Sequence, residues 1–460
     1  MRYISTRGQA PALDFTGAMM AGLASDGGLY VPETWPFLPA DMKNKSYQET
    51  AQIVLGLLSA GSIPADELAT LIADTYTPRA DGFSTPAVTP LRKLNKGLSV
   101  LELFQGPTIA FKDVALQLLG RLFDRELKKE RTTMTILGAT SGDTGSAAIE
   151  GCRHAAGAEI FILYPHNRTS EVQRRQMTTV QAANVHTIAI EGSFDDCQAI
   201  VKACFNDRTF RAKARLSAVN SINWARIAAQ IVYYVHTAFQ SDVPVTYVVP
   251  TGNFGNVYAA YAAYRMGAPI RRLVVASNRN DILTRFLNTG KMEARTVEPS
   301  FSPSMDIQVS SNFERLLFEV VGRDGKQVVQ FMDAFKHDQE YSVPDSALMD
   351  IQKLFVGASC DDAETLRTIK RVQDEFGYLI DPHTAVGFSA YEQLKEHLDG
   401  PVIALACAHP AKFPDAVEKA TGIRPALPDS LSDLMEREES YDVLPADVAA
   451  VQAFISTKIG

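Results

Sequence analysis

Cysteine is scarce in this 460-residue chain: five in all, Cys152, Cys197, Cys204, Cys360 and Cys407, with no Cys-x-x-Cys pair. That excludes a disulfide framework and a structural zinc site, and it fits a reduced, cytoplasmic compartment. No apolar run is long enough to span a bilayer, and the opening "MRYISTRGQAPALDF" lacks the apolar core of a signal peptide. Basic charge is not in excess either. The formal net charge of −8 argues against nucleic acid or an anionic membrane as the main partner. Tandem repeats and low-complexity tracts are absent. What remains is an ordinary globular composition, 46% hydrophobic and 21% charged, in a chain long enough for two or three domains.

Up to residue 90 the chain reads as mainly helical, with a break at "PRADGFSTP" (78–86). The pattern then changes. Short apolar runs such as "SVLELF", "TTMTILGAT", "EIFILYP", "NVHTIAI", "VTYVVP" and "PVIALACA" alternate with helical segments. Continuous apolar strands of this kind indicate parallel sheets covered on both faces, so the expected class is α/β. Ligands in such folds sit where strands end and loops lead into helices. Four loops qualify: "GPTIAFKD" around Lys112, "GATSGDTGS" (138–146), "PTGNFGN" (250–256) and "CAHPAKF" (407–413).

Each loop admits a plain alternative. "PTGNFGN" has the glycines and following helix of a phosphate cradle, though it matches neither a P-loop nor a dinucleotide fingerprint; it could equally be a tight strand-to-helix turn. "TSGDTG" offers hydroxyls and backbone donors for a carboxylate, or an ordinary helix cap at Ser141 or Asp143. Lys112 stands between Phe111 and Asp113 at the mouth of a helix apolar nearly all round. It could be a surface lysine, a point charge for a phosphate, or an amine forming a Schiff base. His383 and His409 could be acid–base groups or structural members, and their spacing gives no metal site. The acidic run "EREES" (436–440) reads as a solvated loop.

Taken together, "GLASDGGLYVPE", "GPTIAFKD", "GATSGDTGSAA", "NSINWARI", "PTGNFGN", "SPSMDIQVSSNFERLLF", "DPHTAVG" and "AHPAKFPDAV" run in order over almost the whole chain. They resemble the threonine synthase family in its bacterial and fungal branch. The resemblance implies a fold-type-II pyridoxal-phosphate enzyme with two parallel-rich α/β domains and a mainly helical N-terminal region. The expected division is 1–90 for that region, 91–130 with 215–460 for a large cofactor-binding domain, and 131–214 for a small domain.

The same resemblance assigns residues. Lys112 carries pyridoxal 5'-phosphate. Gly252, Asn253, Phe254, Gly255 and Asn256 hold its phosphate. Thr140, Ser141, Gly142, Asp143 and Thr144 receive the substrate carboxylate. Arg226, Ser311, Asn312 and Arg315 are candidates for the leaving phosphate. Where relatives carry a threonine whose hydroxyl faces the pyridine nitrogen, this chain has Cys407, a weaker hydrogen-bonding group. The implied reaction converts O-phospho-L-homoserine and water to L-threonine and phosphate. A related phospho-lyase or dehydratase is the alternative. The expected assembly is a monomer or a weak homodimer.

Overall fold

The computed structural model describes residues 1–459. Two parallel-rich sheets organise it. The larger has six strands in the order Phe355–Ser359, Ile270–Ser277, Val245–Pro250, Val402–Ala406, Leu98–Glu102, Leu91–Lys93. Its first five strands are parallel and Leu91–Lys93 closes the edge antiparallel. The smaller sheet is all parallel, in the order Asp442–Pro445, Val185–Glu191, Ala158–Pro165, Met134–Ala139, Leu216–Ser217. The central strands are buried along nearly their whole length, as Val245–Pro250 and Val402–Ala406 are throughout. Burial on both faces explains why these segments read as continuous apolar runs instead of alternating ones.

The N-terminal region contains the helices Phe15–Ala21, Tyr47–Leu58 and Ala65–Tyr76, plus a short antiparallel pair of strands, Tyr3–Ser5 with Tyr30–Pro32. Ser46 and Glu49 form a reciprocal capping box on the second helix.

One expected boundary needs correcting. Residues 215–460 do not form one unit with the large sheet. Leu216–Ser217 and Asp442–Pro445 are strands of the small sheet, and the helix Val448–Lys458 buries Val451 and Ile455 against Cys197 and Cys204. The strand at 442–445 is four residues long, too short for its pattern to reveal its partner. The acidic run just before it is not simply solvated. Glu439 pairs with Arg174 and accepts from Thr178, pinning the returning chain to the small domain.

Two helices carry the junction. Lys112–Glu130 is buried at Val114, Ala115, Leu116, Leu118, Leu119, Leu122 and Phe123, which accounts for its apolar sequence. It crosses Asp143–Cys152 at Gly120 and Gly151. A Cβ at Gly120 would overlap the Gly151 carbonyl, and one at Gly151 would overlap the Leu116 carbonyl. This backbone-to-backbone approach sets how the first turns of the two helices face each other, and those turns begin at Lys112 and Asp143. Gly120→Ala is therefore expected to destabilise the fold by about 1–3 kcal/mol, since the overlap outweighs alanine's helix propensity of about 1 kcal/mol. The midpoint of urea unfolding checks this; a midpoint equal to or above the parent's contradicts it.

Candidate active site

The four loops do converge. Strands ending at Glu102, Ala139, Pro250 and Ala406 deliver them to one cavity of about 1630 Å³. Two of the loops are stitched together directly. Phe111 N–H donates to the Cys407 carbonyl at 2.8 Å, and His409 N–H donates to the Ile109 carbonyl at 3.0 Å. Ile109 adopts φ +53°, a costly conformation for a β-branched residue. Inside the same loop, Asp113 accepts from the backbone N–H and the hydroxyl of Thr108. Burial pushes the Asp113 carboxyl up to about 6 despite those bonds.

Lys112 is buried, and its amine lies on the cavity wall. It pairs with Asp143 Oδ2 at 3.3 Å and donates to Ser304 Oγ at 3.5 Å. Asp143 has further partners. It accepts from Ser304 Oγ at 3.1 Å and from Gln173 Nε2 at 2.8 Å, and its Oδ1 lies 3.4 Å from the Lys412 amine. Burial by itself would raise the Asp143 carboxyl, but Lys112 and Lys412 overcome it and hold the group far below the usual carboxylate range. Such a group stabilises the fold at neutral pH. That contribution is lost as pH falls below the ordinary carboxylate value toward the depressed one.

The "TSGDTG" loop is not capped as either alternative supposed. The helix opens at Gly142 with no side-chain cap from Ser141 or Asp143. Instead Thr140 Oγ1 accepts from the backbone N–H of Gly142 and Gly145, at 2.9 and 3.0 Å. Thr140 therefore shapes the loop. The exposed Ser141 and half-buried Thr144 stand on the cavity wall with their hydroxyls. Gly142 itself is buried against Gln173.

In the "GNFGN" loop, Phe254 takes a left-handed conformation, φ +60°, and the helix Gly255–Arg265 starts without a side-chain cap. Asn256 accepts from the hydroxyls of Tyr233 and Tyr234, while its Nδ2 is buried with no partner. A side chain at Gly252 would meet the Ser304 carbonyl oxygen at 2.7 Å.

The four candidates for a leaving phosphate separate. Arg226 lines the cavity, is buried, and leaves Nε and Nη1 without a hydrogen-bond partner. Burial pushes its guanidinium down to about 10. It also stands in the first turn of the helix Trp224–Ala238, the end where a cation is least welcome. Ser311, Asn312 and Arg315 do not line the cavity. Asn312 donates to the carbonyls of Asn253 and Ser221, and Ser311 contacts Asn253 Oδ1. Arg315 is spent on the carbonyls of Tyr30 and Ile222 and the Asn312 amide. Ser311 and Asn312 brace the Gly252–Asn256 loop at Asn253, and Arg315 holds Asn312 in turn. Their sequence motif is the same in either role, which is why spacing could not separate them.

Of the two histidines, His383 reaches the cavity wall. Its Nδ1 faces Asp381 at 2.9 Å, and its Nε2 accepts from Ser304 N–H at 3.3 Å. His409 accepts from Ala411 N–H and packs edge-on against Phe104. Cys407 lines the cavity, its N–H donating to Thr384 Oγ1. Burial keeps its thiol neutral by raising it well above the ordinary value. Ser304 and Lys412 were not foreseen. For Lys412 a signal existed: a lysine framed by Ala411 and Phe413, the same oddity that marks Lys112.

The orphaned donors supply a test of fit. A reactive-looking amine shares one cavity with an uncapped helix start, a partnerless Asn256 amide and a partnerless arginine. Such a set suits an aldehyde-bearing phosphate ligand together with a second anion. These features define a pyridoxal-phosphate dependent enzyme, and residues 83–334 match the family model described as "Pyridoxal-phosphate dependent enzyme". Residues 2–76 match the threonine synthase N terminus and residues 384–455 the threonine synthase C-terminal model.

The chain is 54% identical to threonine synthase of Pseudomonas aeruginosa, over 99% of this chain and 98% of the relative. Its fold superposes on the pyridoxal-phosphate-bound threonine synthase of Brucella melitensis with a TM-score of 0.96, at 47% identity, covering 100% of this chain and 99% of that one. The yeast threonine synthase structure gives 0.94 at 40% identity, covering 100% and 98%. The chain belongs to the threonine synthase family.

Asp143→Asn should cost about 3–5 kcal/mol at neutral pH, because the buried Lys412 ammonium loses its counter-charge. It should also flatten the acid side of the stability curve. Urea unfolding across pH checks both; an unchanged acid limb contradicts the assignment of that limb to Asp143.

Proposed function

We propose that the chain converts O-phospho-L-homoserine and water to L-threonine and inorganic phosphate. The observation that carries this reading is two sets of unengaged anion-binding groups on one cavity with a buried amine: the uncapped start of Gly255–Arg265 with the Asn256 amide, and the partnerless Arg226 guanidinium. A cofactor phosphate and a substrate phosphate each need such a place.

Lys112 would hold the cofactor, with Gly252, Asn253, Phe254, Gly255 and Asn256 around its phosphate and Cys407 on the wall beside the ring. When bound, pyridoxal phosphate supplies an electron sink for the charge that develops at the substrate Cα. The chain's own residues do the rest. The N-terminal amides of Asp143–Cys152, with the Ser141 and Thr144 hydroxyls, receive the α-carboxylate, since a helix start favours an anion. Arg226 receives the γ-phosphate through its fork of donors, and Ser221 and Asn220 share that wall. The Lys112 amine would take the proton from Cα, take a second from Cβ as the γ-phosphate leaves, and return protons at Cγ and Cα, with Asp143 as its nearest charge. The apolar surroundings of the Lys112–Glu130 helix exclude bulk water, which limits side reactions.

The purified protein, given pyridoxal phosphate and O-phospho-L-homoserine, should release threonine and phosphate in equal amounts. A keto acid and ammonia would instead assign it to a dehydratase or phospho-lyase. Lys112→Ala should lower turnover by at least about a thousandfold, the upper part of the range for a lost acid–base group, while the protein stays folded by circular dichroism. Full turnover in that variant removes Lys112 from the chemistry. Arg226→Gln should lower kcat/KM for the phosphorylated substrate by about tenfold to a hundredfold, the worth of roughly 1.5–3 kcal/mol for a hydrogen bond to a charged group. Cofactor content should be unchanged. Loss of cofactor without loss of substrate binding would place Arg226 at the other anion.

A further inference from the structure

Lys412 is wholly buried yet is not part of the cavity wall. Its amine donates to the Thr108 carbonyl at 2.8 Å and to Gln176 Oε1 at 2.7 Å, and it lies 3.4 Å from Asp143 Oδ1. Gln176 is itself held, donating to the same Thr108 carbonyl at 3.1 Å. Three acceptors and no donor match an ammonium with its three N–H groups. Two lysine amines therefore share one carboxylate, Lys112 on Oδ2 and Lys412 on Oδ1.

The trio is neutral when either lysine is unprotonated, and the three acceptors around Lys412 make it the one held as an ammonium. With both lysines protonated the trio carries one surplus positive charge. With Lys112 neutral, Asp143 and Lys412 cancel. In a buried site the balanced state is favoured, because an uncompensated charge there is costly. We infer that Lys412 is a positioning residue for Lys112: it keeps the Asp143 carboxylate ionised and aimed at the Lys112 amine, and its positive charge favours the unprotonated form of that amine.

The inference rests on Lys112 being the reactive amine. Without Lys412, Asp143 would be left with Lys112 as its one cation, and the ammonium form of Lys112 would be favoured. The other groups facing the trio have partners of their own. His383 is paired with Asp381 on the helix Pro382–Leu394, Asp113 is bonded to Thr108, and the Cys407 thiol is neutral. Burial lowers the Lys412 ammonium, with Asp143 and then Asp113 opposing, so Lys412 depends on these two carboxylates to stay charged.

The test is the pH profile of Lys112 reactivity. Apoenzyme is labelled with a trace of acetic anhydride across a pH series, and the labelled peptides are quantified by mass spectrometry. Parent protein, Lys412→Met and Lys412→Arg are compared, with folding checked by circular dichroism. Lys412→Gln replaces Lys412→Met should the latter fail to fold. Removing the charge should raise the midpoint of Lys112 labelling by about one pH unit or more, a tenfold fall in unprotonated amine, as expected for the loss of a neighbouring like charge. Lys412→Arg should lie close to the parent. A purely structural role for Lys412 would lower stability without moving the midpoint, so an unchanged midpoint in a folded charge-removed variant overturns the inference.

Borohydride reduction of parent holoenzyme, followed by peptide mapping, separates the two levels. Cofactor fixed on a lysine other than Lys112 removes the reading of the active site. Cofactor fixed on Lys112 with an unmoved midpoint removes the role of Lys412 alone.

Discussion

A carboxylate and two lysine amines cannot leave water together unless their oxygens and N–H groups find partners, and much of this molecule is arranged to satisfy that condition. Asp143 takes Gln173 and Ser304 in addition to the two lysines, and Lys412 takes Thr108 and Gln176. These partners come from the loop before the Lys112 helix, from the small domain, from the 300s segment and from the loop after Val402–Ala406. The charged cluster thus joins both sheets at one point. The close crossing at Gly120 and Gly151 makes that geometry available, because it brings the two helix starts into register without intervening side chains.

A second layer follows from this. The residues that would meet ligands sit at the ends of parallel strands, where loop backbone is free to face a cavity. The residues that support them lie one shell further out and are fully engaged. Arg315 is the clearest case: its guanidinium is consumed by two backbone carbonyls and the Asn312 amide, and Asn312 in turn holds the Asn253 carbonyl. Arg226 has the opposite character, a buried guanidinium with free donors at the unfavourable end of a helix. Two arginines of equal promise in the sequence are thereby assigned different work by their hydrogen-bond accounts.

The α/β class, the four loops and the oddity of Lys112 were all legible in the chain, since each rests on local pattern: apolar runs bounded by glycine-bearing turns, and a lysine set in an apolar frame. Family motifs extended this to the cofactor. Local pattern did not reach the small-sheet strand Asp442–Pro445, which is separated by about 250 residues from its partner Val185–Glu191 and carries only four residues of signal. Nor did it reveal the role of Thr140, whose hydroxyl, not Ser141 or Asp143, organises the "TSGDTG" turn.

By itself, then, the sequence determined the kind of fold, the order of its elements and which loops line the cavity, because hydrophobic period and turn chemistry act between near neighbours. Tertiary structure decided which charges are shared and which stand alone. Lys412 lies 269 residues beyond Asp143, and nothing in either neighbourhood indicates that they meet. Hydrogen-bond saturation at Arg315 and its absence at Arg226 depend likewise on carbonyls brought in from distant segments. Electrostatics in a buried site is set by what packing brings within a few ångströms, and that is a property of the folded chain.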